Sequence, residues 1–472
     1  MNKLLKITNF KGFSGPTEVE LAPITLVYGA NSAGKSAVLE SLLLLSQSIR
    51  QAPLGFEGTM DPINFVGQNV DLGSFQALIN GHNLSKNLGL GLSYEKENKT
   101  QDNPFLESFD IELSWDHKLK RSVLESCVYK VSIHPERTVR FVRDKNNSEQ
   151  ISVVPVHDSG LEEIIQSIAE IARRRLNVSE KLIESIASVL TNLRFYQNWS
   201  FLPGIRRPDE FKINENLSED EIKEIVEKDF SHREWRHMLE DRFLSTRKNL
   251  ASIKYIGPLR KSPTRIESLV EHDQNYVGIE GEGVASILFR EPKILTLVNE
   301  SLTKMEIPYE LMVKRIDTEY SGTLGELIAL LAVDKRTNVI LSLEDVGFGI
   351  SQILPLLVQL SVDRNQFILV EQPELHLHPA LQANVGDLLI DGIYAERESQ
   401  FLIETHSEHL LLRLQRRIRT GKIKPSDLIV YYVSTSETQG SSLTKLEIDE
   451  NGDFITPWPN GFFPERIDEI LS

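Results

Sequence analysis

Residues Ile24-Thr-Leu-Val-Tyr28-Gly29-Ala30-Asn31-Ser32-Ala33-Gly34-Lys35-Ser36 decide how this chain is read. The run from Val19 to Tyr28 is apolar or alternating, as a strand is, and it leads straight into Gly29. Beyond Ser36, residues 37–49 place Val38, Leu39, Leu42, Leu43 and Ile49 along one helical stripe. Strand, glycine loop and helix in this order, with Gly29-x4-Gly34-Lys35-Ser36 at the junction, make a phosphate-binding loop. Gly29 and Gly34 allow backbone N–H groups to turn inward around phosphate oxygens, with Asn31, Ser32 and Ala33 between them, and the helix start adds partial positive charge. Lys35 suits the β- and γ-phosphates of ATP, and the Ser36 hydroxyl suits Mg2+.

A second acidic group should close the metal shell from the end of a neighbouring strand. Phe367-Ile-Leu-Val370-Glu371-Gln372-Pro373-Glu374 supplies one, four apolar residues followed by the carboxylate of Glu371. Short apolar strands are predicted at 3–10, 253–256, 338–343, 366–371, 399–404 and 428–434. Those after 338 alternate with helical runs at 349–363, 379–390 and 407–419, so the fold class is α/β with a largely parallel sheet. Alternation at 88–94, 109–115, 129–134 and 138–142 predicts an antiparallel lobe within 70–155. Charged helix-forming runs at 161–176, 179–193, 218–227 and 232–244 predict a compact helical insertion, since no heptad pattern persists. The expected plan is an N-terminal part over 1–155, the helical insertion over 156–250 and a C-terminal part over 251–472, closing with strands at 428–434 and 442–448 and a helix at 465–471.

Five segments carry a family resemblance: Asn9-Phe-Lys-Gly-Phe13, the loop at 29–36, Asp345-Val-Gly-Phe-Gly-Ile-Ser-Gln352, Glu371-Gln-Pro-Glu-Leu-His-Leu-His-Pro379 and Thr405-His-Ser407. Together they resemble the ordered motifs of ABC-type ATPase heads, of the group formed by SMC, RecF and OLD (overcoming lysogenization defect) proteins. With Tyr255-Ile-Gly-Pro-Leu-Arg260 added, the set is similar to stand-alone bacterial ATPases of anti-phage defence, of the Septu or PARIS kind. The resemblance covers about residues 1–90 and 250–472. It implies a mixed-sheet head in which residues 345–352, with Gly347, Gly349, Ser351 and Gln352, complete the ATP site of a second protomer. It further implies a metal role for Glu371, a loop between protomers at 376–379, and a γ-phosphate-sensing role for His406. A metal-side glutamine is implied at Gln68 or Gln76, with Gln76 preferred.

Two departures from the family pattern bear on chemistry. Gly347 or Phe348 falls where a serine is usual, and Ser351 comes later. Gln372 follows the metal carboxylate where a general-base glutamate is usual, and an amide cannot accept a proton from attacking water. Slow hydrolysis is expected, with Gln372 orienting water and either Glu374 or His406 assisting. His376, His378, His406 and His409 also have ligand-like spacing, but a metal site of histidines is the weaker reading beside the loop and sensor roles.

A composition of 40% hydrophobic and 25% charged residues is that of a globular protein without a membrane span. The single cysteine, Cys127, excludes an internal disulfide and agrees with the cytoplasm, as does the absence of a signal-peptide pattern. A net charge of −16 repels nucleic acid on average, so DNA contact would need local patches such as Arg173 to Arg175 or Arg413, Arg416, Arg417, Arg419, Lys422 and Lys424. Helix surfaces explain either patch alone; together they leave DNA binding open. OLD nucleases continue into a TOPRIM domain, whereas the stretch after His406 is too short for one. The expected function is thus an ATP-dependent sensor or scaffold, a homodimer or larger homo-oligomer through its heads, controlling a separately encoded effector such as a nuclease. A RecF-like DNA-repair clamp is the alternative, and a transporter motor is a third reading.

Overall fold

A computed structural model describes residues 1–50, 62–96, 105–131, 137–143, 152–155, 195–197, 203–205, 244–269, 275–320, 323, 325–362, 365–394, 398–436 and 440–459. The strands of the first half are β1 (Asn2–Thr8), β2 (Thr17–Glu20), β3 (Ile24–Gly29), β4 (Leu88–Lys96), β5 (Phe105–Asp116), β6 (Arg121–Val131), β7 (Arg137–Arg143), β8 (Ser152–Pro155), β9 (Phe195–Gln197) and β10 (Pro203–Ile205). Those of the second half are β11 (Lys254–Ile256), β12 (Glu267–Ser268), β13 (Tyr309–Ile316), β14 (Leu327–Asp334), β15 (Val339–Ser342), β16 (Phe367–Glu371), β17 (Gln400–Glu404), β18 (Leu428–Ser436) and β19 (Gly440–Leu446). The helices that matter below are α1 (Lys35–Arg50), α2 (Phe75–Leu78), α3 (Val284–Arg290), α4 (Pro292–Lys304), α5 (Phe348–Val362), α6 (Pro379–Tyr394) and α7 (Glu408–Arg419). The chain divides into two compact units, one of residues 20–39 with 253–472, the other of 2–19 with 40–252.

The first unit is built on a six-stranded sheet of order β11-β16-β17-β3-β18-β19, parallel from β11 to β18, with β19 antiparallel on β18. Strands β3, β16 and β17 are nearly continuous apolar runs because a parallel sheet is covered on both faces, and Leu26, Ile368, Leu369, Leu402 and Ile403 are fully buried. Helix α7 shows how the covering elements are specified. Ser407 caps it by accepting from the Leu410 N–H, and Leu410, Leu411, Leu414 and Ile418 form its buried stripe. The same unit holds an antiparallel sheet of order β12-β14-β13 with β15 also paired to β14.

Two expectations change here. The run read as one strand over 19–28 is two, β2 and β3, in different sheets, because the chain turns at Ala22 and Pro23, where the Thr25 hydroxyl accepts from the Ala22 N–H. The strand expected at 338–343 does not join the parallel sheet. A turn in which Thr337 and Asn338 N–H both reach Asp334 O, with Asn338 at φ 57°, folds β15 directly back onto β14. Strands β13 and β14 and helices α3 and α4 were not anticipated.

The second unit is a nine-stranded sheet of order β10-β9-β8-β7-β6-β5-β4-β1-β2, antiparallel along its resolved pairings, as expected for a β lobe. Its last strands, β9 and β10, lie inside the stretch read as helical, and residues 244–251 are helical. The helical runs expected at 161–176, 179–193 and 218–227, nearly all of that at 232–244, and the closing helix at 465–471 lie outside the described residues, as do Arg173 to Arg175. Cys127 on β6 is fully buried, and burial pushes its thiol pKa up, so it packs as a small hydrophobe. Among the described residues no helix is long and apolar enough to cross a membrane.

Candidate nucleotide site

Strand β3 lies between β17 and β18, and its register fixes the site. Glu371 pairs with Glu404, Glu404 with Val27, and Gly29 with Val433, so the loop and two carboxylates collect at the C-terminal ends of parallel strands. Gly29 has φ +147°, and a Cβ there would lie 2.3 Å from the Val433 carbonyl oxygen, so only glycine fits. Ser32 (φ 62°) and Gly34 (φ 108°) then turn the loop into α1. Asn31 and Ser32 are exposed, Gly34 and Ser36 half-buried and Ala33 buried.

Lys35 is buried at 4% exposure. Its Nζ donates to the Ala30 carbonyl at 3.0 Å and lies 3.8 Å from Glu404 Oε1, which is equally buried. Burial lowers the Lys35 pKa, and Glu404, Glu371 and Glu374 act in the opposite direction. A deeply placed ammonium inside a turned glycine loop is suited to a triphosphate. The hard oxygen donors of Ser36 and Glu371 are the kind that would hold Mg2+.

Glu374 is half-buried, and its two oxygens accept from the Thr405 hydroxyl at 2.8 Å and the His406 N–H at 2.7 Å. Burial raises its pKa above the ordinary carboxylate value, against these hydrogen bonds and the charge of Arg260. The His406 pKa is lowered by desolvation and then by Lys35, which leaves a neutral imidazole at neutral pH. Gln372 sits between these groups with φ +45°, and its N–H donates to the Glu404 carbonyl at 2.8 Å. The structure thus brings Lys35, Glu371, Gln372, Glu374 and His406 together on three adjacent strand ends.

The other expected site residues lie on other elements. Gly347 is exposed, with nothing within 4 Å of a Cβ built there, while at Gly349 a Cβ would meet the His376 carbonyl oxygen at 3.1 Å. Ser351 and Gln352 are buried, at 8% and 2% exposure, with Gln352 Nε2 3.4 Å from Ser351 Oγ. They turn into their own unit, whereas Gly347 stands open. Asp345, before them, is gripped by both terminal nitrogens of Arg265 at 2.8 Å. Gln76 on α2 and Gln68 are exposed residues of the second unit. His376 and His378 are exposed, and His378 Nδ1 accepts from the Ala380 N–H at the start of α6. Among the described residues no three His, Cys, Asp or Glu side chains form a metal-binding group.

Four contributors were not picked out as site residues from sequence. Glu404 faces Lys35; Tyr255 Oη donates to Glu371 Oε1 at 2.9 Å; Arg260 donates to main-chain oxygens of Glu371 and Gln372; and Ser441 Oγ donates to the Ala33 carbonyl at 2.7 Å. The motif 255–260 was visible, but a tyrosine and an arginine over 110 residues from β16 in sequence carry no spacing signal of a shared site.

Similar solved structures include an Smc head domain with an extended coiled coil bound to the C-terminal domain of ScpA, from Pyrococcus furiosus, at 12% identity and TM-score 0.38, covering 100% of this chain and 98% of that one. An SmcHead bound to the C-winged helix domain of ScpA shows 12% identity and TM-score 0.44, covering 95% and 98%. The SMC head domain from Thermotoga maritima shows 11% identity and TM-score 0.40, covering 95% and 99%. No curated protein matches the chain. Residues 423–471 match a model described as a protein of unknown function (DUF3696). Residues 1–411 match the model of the AAA ATPase domain, and the chain belongs to that family.

Proposed function

We propose that the protein is a slow ABC-type ATPase whose ATP-bound form pairs with a second copy and controls a separately encoded effector, a nuclease, in anti-phage defence. The observation that carries the slow cycle is the amide of Gln372 at the end of β16, in place of a carboxylate beside Glu371. Glu374, two residues beyond Gln372 and held by Thr405 and His406, is a base with a raised pKa. ATP is held by Lys35 and the loop 29–36, with Ser36 and Glu371 as the Mg2+ ligands. Gly347, open to solvent, is the residue of 345–352 best placed to reach a nucleotide on another protomer.

The effector role is supported by the resemblance of residues 255–260, 346–355 and 371–379 to stand-alone defence ATPases. A DNA-clamp reading draws less support from the basic patch on α7. Arg413 and Arg417 share Asp387 and Arg419 pairs with Asp453, so two carboxylates reduce the positive charge of this patch. Co-purification of the protein encoded beside this one, with ATP present, tests the proposal. The complex is expected with wild type and lost with Lys35→Ala; binding indifferent to nucleotide would refute the sensor role.

A further inference from the structure

The segment Tyr255-Ile-Gly-Pro-Leu-Arg260 leaves edge strand β11 and crosses the end of β16. Tyr255 pairs with Leu369 in the parallel register, two residues short of Glu371, and its Oη spans that gap to donate to Glu371 Oε1 at 2.9 Å. Its own carbonyl is fixed by the Tyr276 hydroxyl at 2.6 Å. At Gly257 the chain passes so close to Ile279 that a Cβ would lie 3.0 Å from its methyl, and the Gly257 N–H donates to the Ile279 carbonyl at 2.9 Å. The chain then sends Leu259 outward, at 76% exposure, and Arg260 inward, at 7%.

Arg260 grips two consecutive peptides. Nη2 donates to the Glu371 carbonyl at 2.9 Å and Nη1 to the Gln372 carbonyl at 3.2 Å. On its other side the Gln372 peptide donates its N–H to the Glu404 carbonyl. Residue 372 holds a left-handed φ of +45°, which a non-glycine residue keeps only when its surroundings over-determine it. Arg260 and the end of β17 do so from opposite sides. A planar guanidinium can hold two carbonyls at once, whereas a lysine ammonium offers no such fixed fork.

We infer that Tyr255 and Arg260 are positioning residues of the ATPase site, Tyr255 setting the rotation of the Glu371 carboxylate and Arg260 setting the backbone that aims Gln372. A hydrogen bond from Tyr255 to Glu371 Oε1 is the kind of outer-sphere contact that orients a ligating carboxylate. This inference rests on the proposed roles of Glu371 and Gln372.

The test compares wild type, Tyr255→Phe, Arg260→Lys and the exposed neighbour control Leu259→Ala. Binding of a ribose-labelled fluorescent ATP is measured in EDTA and across a Mg2+ titration, beside steady-state hydrolysis and thermal melting. Tyr255→Phe is expected to bind nucleotide in EDTA as wild type does, while the Mg2+ concentration for half-maximal enhancement rises about tenfold or more, within the range for lost outer-sphere partners. Arg260→Lys is expected to lower kcat about tenfold with KM for ATP changed less than about threefold, the pattern of a contact that matters in the transition state. Leu259→Ala should match wild type throughout. Wild-type Mg2+ dependence in Tyr255→Phe, or its equal weakening in EDTA and Mg2+, overturns the inference for Tyr255. A parallel loss of KM and melting temperature in Arg260→Lys overturns it for Arg260. Absence of nucleotide binding by wild type would instead remove the underlying ATPase reading.

Discussion

Gln372 presents an amide at the tip of β16, with its backbone in a left-handed conformation and its N–H tied to Glu404. A general base contributes roughly 10^2- to 10^4-fold to a rate. Gln372→Glu is therefore expected to raise single-turnover hydrolysis about 100-fold, measured by quenched release of phosphate; an unchanged rate would mean that another group already takes the proton. Glu374 and His406 are distinguishable by pH. The Glu374 pKa is raised from 4.5, so a base at this position loses activity as pH falls through a value above the ordinary carboxylate range. The His406 pKa is lowered from 6.5, so a histidine base would lose activity below that value. The acid limb of the kcat profile should disappear in Glu374→Gln and persist in His406→Ala, and the reverse pattern would assign the role to His406.

Among the elements, β3, β16 and β17 carry the site because each ends at the same edge of one parallel sheet. Leu402, fully buried at the centre of β17, has its neighbours on β16 and β3 in register. Leu402→Ala is expected to cost about 2–5 kcal/mol, the usual range for a large-to-small core change, read as a lowered denaturant midpoint with unchanged slope. Gly29→Ala should also destabilise, by about 2–4 kcal/mol, because it meets both the +147° φ and the Val433 carbonyl. The hairpin β18 to β19 gains a role from the same geometry. Its Val433 carbonyl crowds Gly29, and its Ser441 hydroxyl holds the Ala33 carbonyl, so the segment matched to a domain of unknown function helps shape the phosphate loop.

For the whole molecule, the testable property is ATP-dependent association. Gly347 has open space around it, so Gly347→Glu should fold as wild type, with a melting temperature changed by no more than the small amount expected of a surface substitution. Light scattering behind size-exclusion chromatography with ATP and Mg2+ should show a dimer or larger species for wild type and only monomer for Gly347→Glu. Association that survives this substitution would remove residues 345–352 from the interface. With a net charge of −16 and two carboxylates, Asp387 and Asp453, bound within the basic patch of α7, salt-steep duplex binding is not expected in filter-binding assays.

Local pattern was enough for the features that depend on neighbours in sequence. The loop 29–36 between strand and helix, the parallel alternation after 366, the antiparallel lobe and the carboxylate at Glu371 are periodicity and spacing, and the structure places them as those patterns require. The break of the run 19–28 and the return of β15 onto β14 were decided by turns at Pro23 and at Asp334 to Asn338, where a few hydrogen bonds outweigh a continuous apolar pattern. Only tertiary structure could bring Glu404 to Lys35, turn Ser351 and Gln352 inward, or set Tyr255 and Arg260 on the tip of β16, because strand order and helix rotation are fixed by packing between segments far apart in the chain.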